Sequence, residues 1–176
     1  TNGAVLSGFT LTNGATIDFD DDFDLGSGGG VWCQSTDALV TNCLFTGNAA
    51  GFSGGAAVNG LLVNCTLTDN SASRGGGADG GVLNGCLLTG NSAAEGGGTC
   101  VSTLNNCTLT GNSASSHGGG ADASTLNNCL VYYNTAGETG PNYHRSTLNY
   151  SCTTPMPPTG TGNITNEPAL ASASHL

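Results

Sequence analysis

Six cysteines recur along this chain at a nearly fixed interval, and that interval limits the fold more than any other feature. Cys43, Cys65, Cys86, Cys107, Cys129 and Cys152 are separated by 22, 21, 21, 22 and 23 residues. Periods of this length belong to solenoids, in which one repeat buries its apolar face only against its neighbours. Aligned on the cysteines, the units read NCLFTGNAA (42–50), NCTLTDNSA (64–72), GCLLTGNSA (85–93), NCTLTGNSA (106–114) and NCLVYYNTA (128–136). GFTLTNGAT (8–16) opens the series with Phe9 in the cysteine position, and with the Cys152 unit seven coils are expected.

Two residues after the cysteine stand Leu11, Phe45, Leu67, Leu88, Leu109 and Val131, and three before it Val40, Leu62, Leu83, Leu104 and Leu126. Alternate residues of a strand share a face, so the cysteine and apolar columns line one core and each coil holds several short strands. Asn48, Asn70, Asn91, Asn112 and Asn134 follow five residues after a cysteine. Asparagine tolerates left-handed backbone, and stacked copies can hydrogen-bond one another, which predicts an asparagine ladder at a turn. Glycine runs such as 75–77, 96–98 and 118–120 mark a further corner. With 30 Gly among 176 residues and almost no helical spacing of apolar residues, helices are excluded. The expected class is all-β, a three-sided parallel β-helix of about seven coils with 21–23 residues each.

The repeat closely resembles the right-handed parallel β-helix repeats of pectin-lyase-like folds. LNNCTLTGNSA followed by GGG also resembles the repeats of polymorphic outer-membrane proteins and of secreted bacterial β-helix surface proteins. The resemblance covers roughly residues 4–152. It implies the fold, and an extracellular or cell-surface setting on a bacterium. Function is far less constrained, because adhesins, lyases, passenger domains and filaments share this architecture. The expected organisation is a β-helix over 1–152, an acidic insertion at 15–27 and an extended, Pro-containing tail over 153–176.

Charge removes several classes of partner. Two basic residues, Arg74 and Arg145, stand against 12 acidic ones for a net −10, and Lys is absent. Nothing could neutralise a run of phosphates, so nucleic acid is excluded, and no apolar run reaches the ~18 residues of a membrane helix. Five of the acidic residues crowd into the loop, where Asp18, Asp20, Asp22 and Asp24 alternate with Phe19, Asp21 and Phe23. Carboxylates so close repel unless a hard cation joins them, which makes calcium the candidate cofactor, with no other required. The spacing is not that of an EF-hand, and a solvated loop or a subunit contact remain alternatives.

The cysteine column reads as buried thiols acting as small hydrophobes, because parallel Cβ vectors in registered strands do not favour disulfides. Catalysis is not expected. Asp79 and Asp122 recur in register two coils apart with Cys100 between, but no Arg or His is expected beside them in that column. The outward column after the cysteine alternates Thr and Leu, and Leu44, Leu87 and Leu130 form an apolar stripe of the kind that marks contacts. A neighbouring threonine array resembles the T-x-T faces of β-solenoid ice binders, with only three complete pairs. Each end of a solenoid leaves unpaired strand edges, and tail residues Ile164 and Leu170 are apolar enough to cover one. The expectation is therefore a non-enzymatic structural or adhesive surface protein whose partners are copies of itself in a head-to-tail filament. Glycans are a further partner class, and the alternative is a carbohydrate-binding or carbohydrate-processing β-helix.

Overall fold

The computed structural model describes residues 3–17 and 26–168. It is a parallel β-solenoid of about six turns and contains no helix among those residues. Seven strands on a face enclose six full turns, which reconciles this count with the seven repeats. Sheet 1 stacks Val5–Ser7, Leu39–Thr41, Leu61–Val63, Val82–Asn84, Thr103–Asn105, Thr125–Asn127 and Thr147–Asn149. Sheet 2 stacks Thr10–Thr12, Leu44–Thr46, Thr66–Thr68, Leu87–Thr89, Thr108–Thr110, Leu130–Tyr132 and Cys152–Thr153. Sheet 3 has six strands: Val31–Trp32, Ala57–Val58, Ala78–Asp79, Thr99–Cys100, Ala121–Asp122 and Tyr143–His144. A short ribbon of Ser92–Glu95, Ser113–His117 and Thr135–Ala136 lies between sheets 2 and 3. Pairing is in register, as in Leu83↔Leu104↔Leu126↔Leu148, so like stacks on like.

The core is the one the columns imply. Phe45, Leu62, Leu67, Leu83, Leu88, Leu104, Leu109 and Leu126 are fully enclosed. Each such side chain contributes about 2 kcal/mol of burial. The glycine corner lets adjacent coils approach closely: a Cβ on Gly97 would meet the Ser113 and Gly119 carbonyl oxygens.

One local rule builds the three corners other than the glycine corner. A residue takes left-handed backbone and the next turns a polar side chain inward to accept an N–H from the coil before. At the corner between sheets 1 and 2, Asn42, Asn64, Gly85, Asn106, Asn128 and Tyr150 have φ from 50° to 62°. Cys43, Cys65, Cys86, Cys107, Cys129 and Ser151 follow them. There the Cys86 N–H donates to Cys107 Sγ (3.4 Å) and the Cys129 N–H to Ser151 Oγ (3.0 Å). After sheet 2, Gly47, Asp69, Gly90, Gly111 and Tyr133 are left-handed. The ladder asparagines follow, each receiving the preceding one's N–H at 2.9–3.1 Å. After sheet 3, Val101, Ala123 and Arg145 play the left-handed part, and the N–H groups of Ser102 and Ser124 donate to Ser124 and Ser146.

Three expectations need correction. The ladder asparagines are not the left-handed residues; the residue before each one is, because the ladder side chain must point into the core. Cys152 is not in the cysteine column: Cys152 pairs with Leu130, so Ser151 fills the inward position and Cys152 faces outward. The tail does not wholly leave the columns, because Ile164 forms a parallel bridge with Cys152.

Candidate functional site

Two regions stand out from the repeat: the ends of the solenoid and a charged groove beside sheet 3. Among the described residues, the large apolar side chains more than half exposed are Val5, Phe9, Ile17, Val101, Tyr150, Met156 and Ile164. All but Val101 belong to the first coil, the last coil or the tail. At the first coil, Ala4, Val5, Leu6, Val31, Trp32 and Ala38 line an open apolar hollow. At the other end, residues 154–168 lie on their own last coil. The Asn142 amide donates to Thr154 O (2.9 Å), Tyr143 Oη to Pro155 O (3.1 Å) and Tyr132 Oη to Thr165 O (2.9 Å).

Thr10, Leu44, Thr66, Leu87, Thr108 and Leu130 stand in one registered outward column of sheet 2. Leu44 is exposed, Leu87 and Leu130 half-buried, and Ile164 extends the column beyond Cys152 at 54 % exposure. Leu170, and Asp18, Asp20, Asp22 and Asp24 with the calcium expectation, lie outside the described residues. Among the described residues no three His, Cys, Asp or Glu side chains are grouped to hold a metal ion.

The polar columns are structural. Each amide nitrogen of Asn48, Asn70, Asn91 and Asn112 donates to the next Oδ1 at 2.9 Å, and Asn142 closes the series by accepting from Asn134. Cys43, Cys65, Cys86, Cys107 and Cys129 are buried free thiols. Each points its sulfur at backbone carbonyl oxygens, as Cys107 does toward Asn105 O (3.3 Å). A second asparagine ladder, unanticipated, runs along the outside of sheet 1: Asn149 donates to Asn127, Asn127 to Asn105 and Asn105 to Asn84 at 2.9–3.1 Å. The Asn directly after the inward Leu at 83, 104, 126 and 148 carried its signal.

The groove corrects the reading of Asp79 and Asp122. Val58, Asp79, Cys100, Asp122 and His144 stack in one registered column, so a histidine does share it. Facing it across the glycine corner is a second ladder, Arg74, Glu95, His117 and Thr139. Both arginines of the chain converge here. Arg145 donates to Asp122 Oδ2 (2.6 Å) and Oδ1 (3.3 Å) and lies 3.8 Å from Glu95, while Arg74 sits 3.7 Å from Asp79 and 3.5 Å from Cys100 Sγ. His144 Nδ1 is 2.8 Å from Asp122 Oδ1, and its ring centroid is 4.8 Å from that of His117.

This geometry gives the two aspartates opposite tendencies. Burial works to raise Asp122, but the hydrogen bonds from Arg145 and His144 prevail and hold its carboxyl below the ordinary range. Burial pushes Asp79 up, and neither its hydrogen bond with Ser53 nor the more distant Arg74 reverses it. Burial also raises Cys100. The Asp122 side chain is fully buried and that of Asp79 nearly so, so a solute in the groove meets the arginine edges, Glu95 and His117 first. The sequence hid this cluster because Arg74 and Arg145 lie 71 positions apart, and only the coil geometry superposes them.

Comparison with known proteins identifies no relative: no family model, no curated protein and no solved structure matches the chain. Among the described residues no helix is long and apolar enough to cross a membrane.

Proposed function

We propose that this chain is a non-enzymatic structural or adhesive protein of an extracellular or bacterial cell surface, and that its copies assemble end to end into a filament. The observation that carries this reading is the distribution of exposed apolar side chains. Among the described residues, Val5, Phe9 and Ile17 stand more than half exposed toward one end and Tyr150, Met156 and Ile164 toward the other, while in the coils between only Val101 is so exposed, with Tyr133, Phe52 and Leu44 less so and Leu87 and Leu130 half-buried in the stripe. Apolar surface at both poles of a rod favours a repeated heterologous contact, which gives an open filament, and the stripe serves lateral contacts. Electron microscopy of the purified protein should show fibres many subunits long. A population consisting only of rods ~30 Å long, the height of seven coils, would overturn the proposal.

A second reading rests on the groove. Arg74, Asp79 and Asn59 with Val58 and Val101 line a shallow depression, a polar set with apolar walls of the kind that receives a sugar ring. Glycan-array binding that disappears in Arg74→Ala would favour it.

A further inference from the structure

We infer that His117 and His144 form a surface chelate for a divalent transition-metal ion of the zinc, nickel or copper kind, bound through their two Nε2 atoms with water in the remaining positions. This inference is independent of the filament and sugar readings. The two histidines belong to different columns, His117 to the ladder with Arg74, Glu95 and Thr139 and His144 to the column with Asp79, Cys100 and Asp122. Stacking of like on like therefore does not explain their meeting. The turn across the glycine corner does, and it leaves the ring centroids 4.8 Å apart with the planes inclined at 32°. Two imidazoles on one ion, with metal–nitrogen bonds of about 2.0 Å and a square or tetrahedral angle between them, have centroids about 4.5–5.2 Å apart. The observed separation falls within that range.

Each ring is already held by its other nitrogen. His144 Nδ1 lies 2.8 Å from Asp122 Oδ1, on a carboxylate that Arg145 keeps ionised, so in the neutral imidazole the proton sits on Nδ1 and the lone pair on Nε2. His117 Nδ1 lies 3.0 Å from Thr139 Oγ1, a hydroxyl able to accept in the same way. An acceptor behind the ring fixes its tautomer and orientation and makes the free nitrogen a better ligand. The setting also favours a cation. Glu138 Oε2 stands 3.6 Å from His117 Nε2, while the charge of Arg145 is taken up by Asp122 and Glu95. The two side chains are 28 % and 27 % exposed, so an ion reaches them from solvent. Calcium and magnesium, which take oxygen ligands, do not suit an imidazole pair.

Isothermal titration of the full chain with Zn²⁺ at neutral pH tests the site. His117→Ala and His144→Ala should each weaken binding by at least about 10-fold, and Thr139→Val, which removes only the acceptor behind His117, by about 10-fold. His175→Ala and Cys152→Ser should bind as the parent does. Parent-like affinity in both His117→Ala and His144→Ala would overturn the site. Binding that survives in those two and disappears in Asp20→Asn/Asp22→Asn would place the metal on the acidic stretch and overturn it equally. A second measurement does not depend on variants that fold. In proton NMR spectra of the parent, the ring signals of two of the three histidines should respond together to one equivalent of Zn²⁺ and not to Ca²⁺. A response from one ring or none would reject the chelate.

Discussion

Asp122 and Asp79 occupy equivalent positions two coils apart, yet their environments act on stability in opposite directions. Asp122 has a lowered folded-state pKa, so its contribution is present above the unfolded value of about 3.9 and is lost as pH falls through the folded value. Asp79 has a raised one, so its contribution is present only below that unfolded value and is lost as pH rises through the folded value. At neutral pH Asp122→Asn should therefore lower stability by about 2 kcal/mol, whereas Asp79→Asn should be neutral or stabilising. Thermal melts between pH 3 and pH 7 check this, and equal losses from both variants at neutral pH would contradict it. Asn91 is the other residue with a large expected effect. It accepts from the backbone and the side chain of Asn70 and donates to Asn112 and Leu67 O. Asn91→Ala would strand two donors of Asn70 in the core and should cost about 3 kcal/mol, measured by urea unfolding.

At the scale of the element, each strand is only two to five residues long and draws its stability from stacking. Close approach of coils is set at the glycine corner, where Gly97 lies against the next coil's backbone. A methyl group there has nowhere to go, because the opposing atoms are main-chain carbonyls rather than flexible side chains. Gly97→Ala should cost about 3 kcal/mol and raise hydrogen exchange in the adjacent coils first. An unchanged urea midpoint would show that the coils can separate locally. Left-handed backbone at Val101, Tyr133 and Tyr150 is a further cost that stacking sustains.

For the whole molecule, the first and last coils of the described solenoid differ in how they are covered. The last coil is covered by its own tail through Asn142, Tyr143, Tyr132 and Ile164, whereas the first coil leaves Val5 and Phe9 in the open. In the sequence the acidic stretch follows that first coil. If its aspartates hold calcium, adding Ca²⁺ should raise the melting temperature through linkage, by an amount that grows with free calcium. The Asp20→Asn/Asp22→Asn variant should lose the response, and a parent-like response would remove calcium from the loop.

The period, the apolar columns and the asparagine ladder were legible in the sequence because a solenoid repeats one local rule, and every repeat reports the same environment. Leu83, Leu104 and Leu126 share a column in the sequence and in space for that reason. Where the repeat is broken, the sequence alone failed. The 23-residue step to Cys152 concealed Ser151 as the inward residue, and the 12-residue step to Asn163 concealed a partial eighth coil. Both depend on which backbone N–H finds which acceptor, a choice made only when the coils stack. The meeting of Arg74, Asp79, Glu95, Cys100, Asp122, His144 and Arg145 is likewise a tertiary result. Unlike residues carry no periodic signal, and the groove arises because the coil geometry superposes them across the glycine corner.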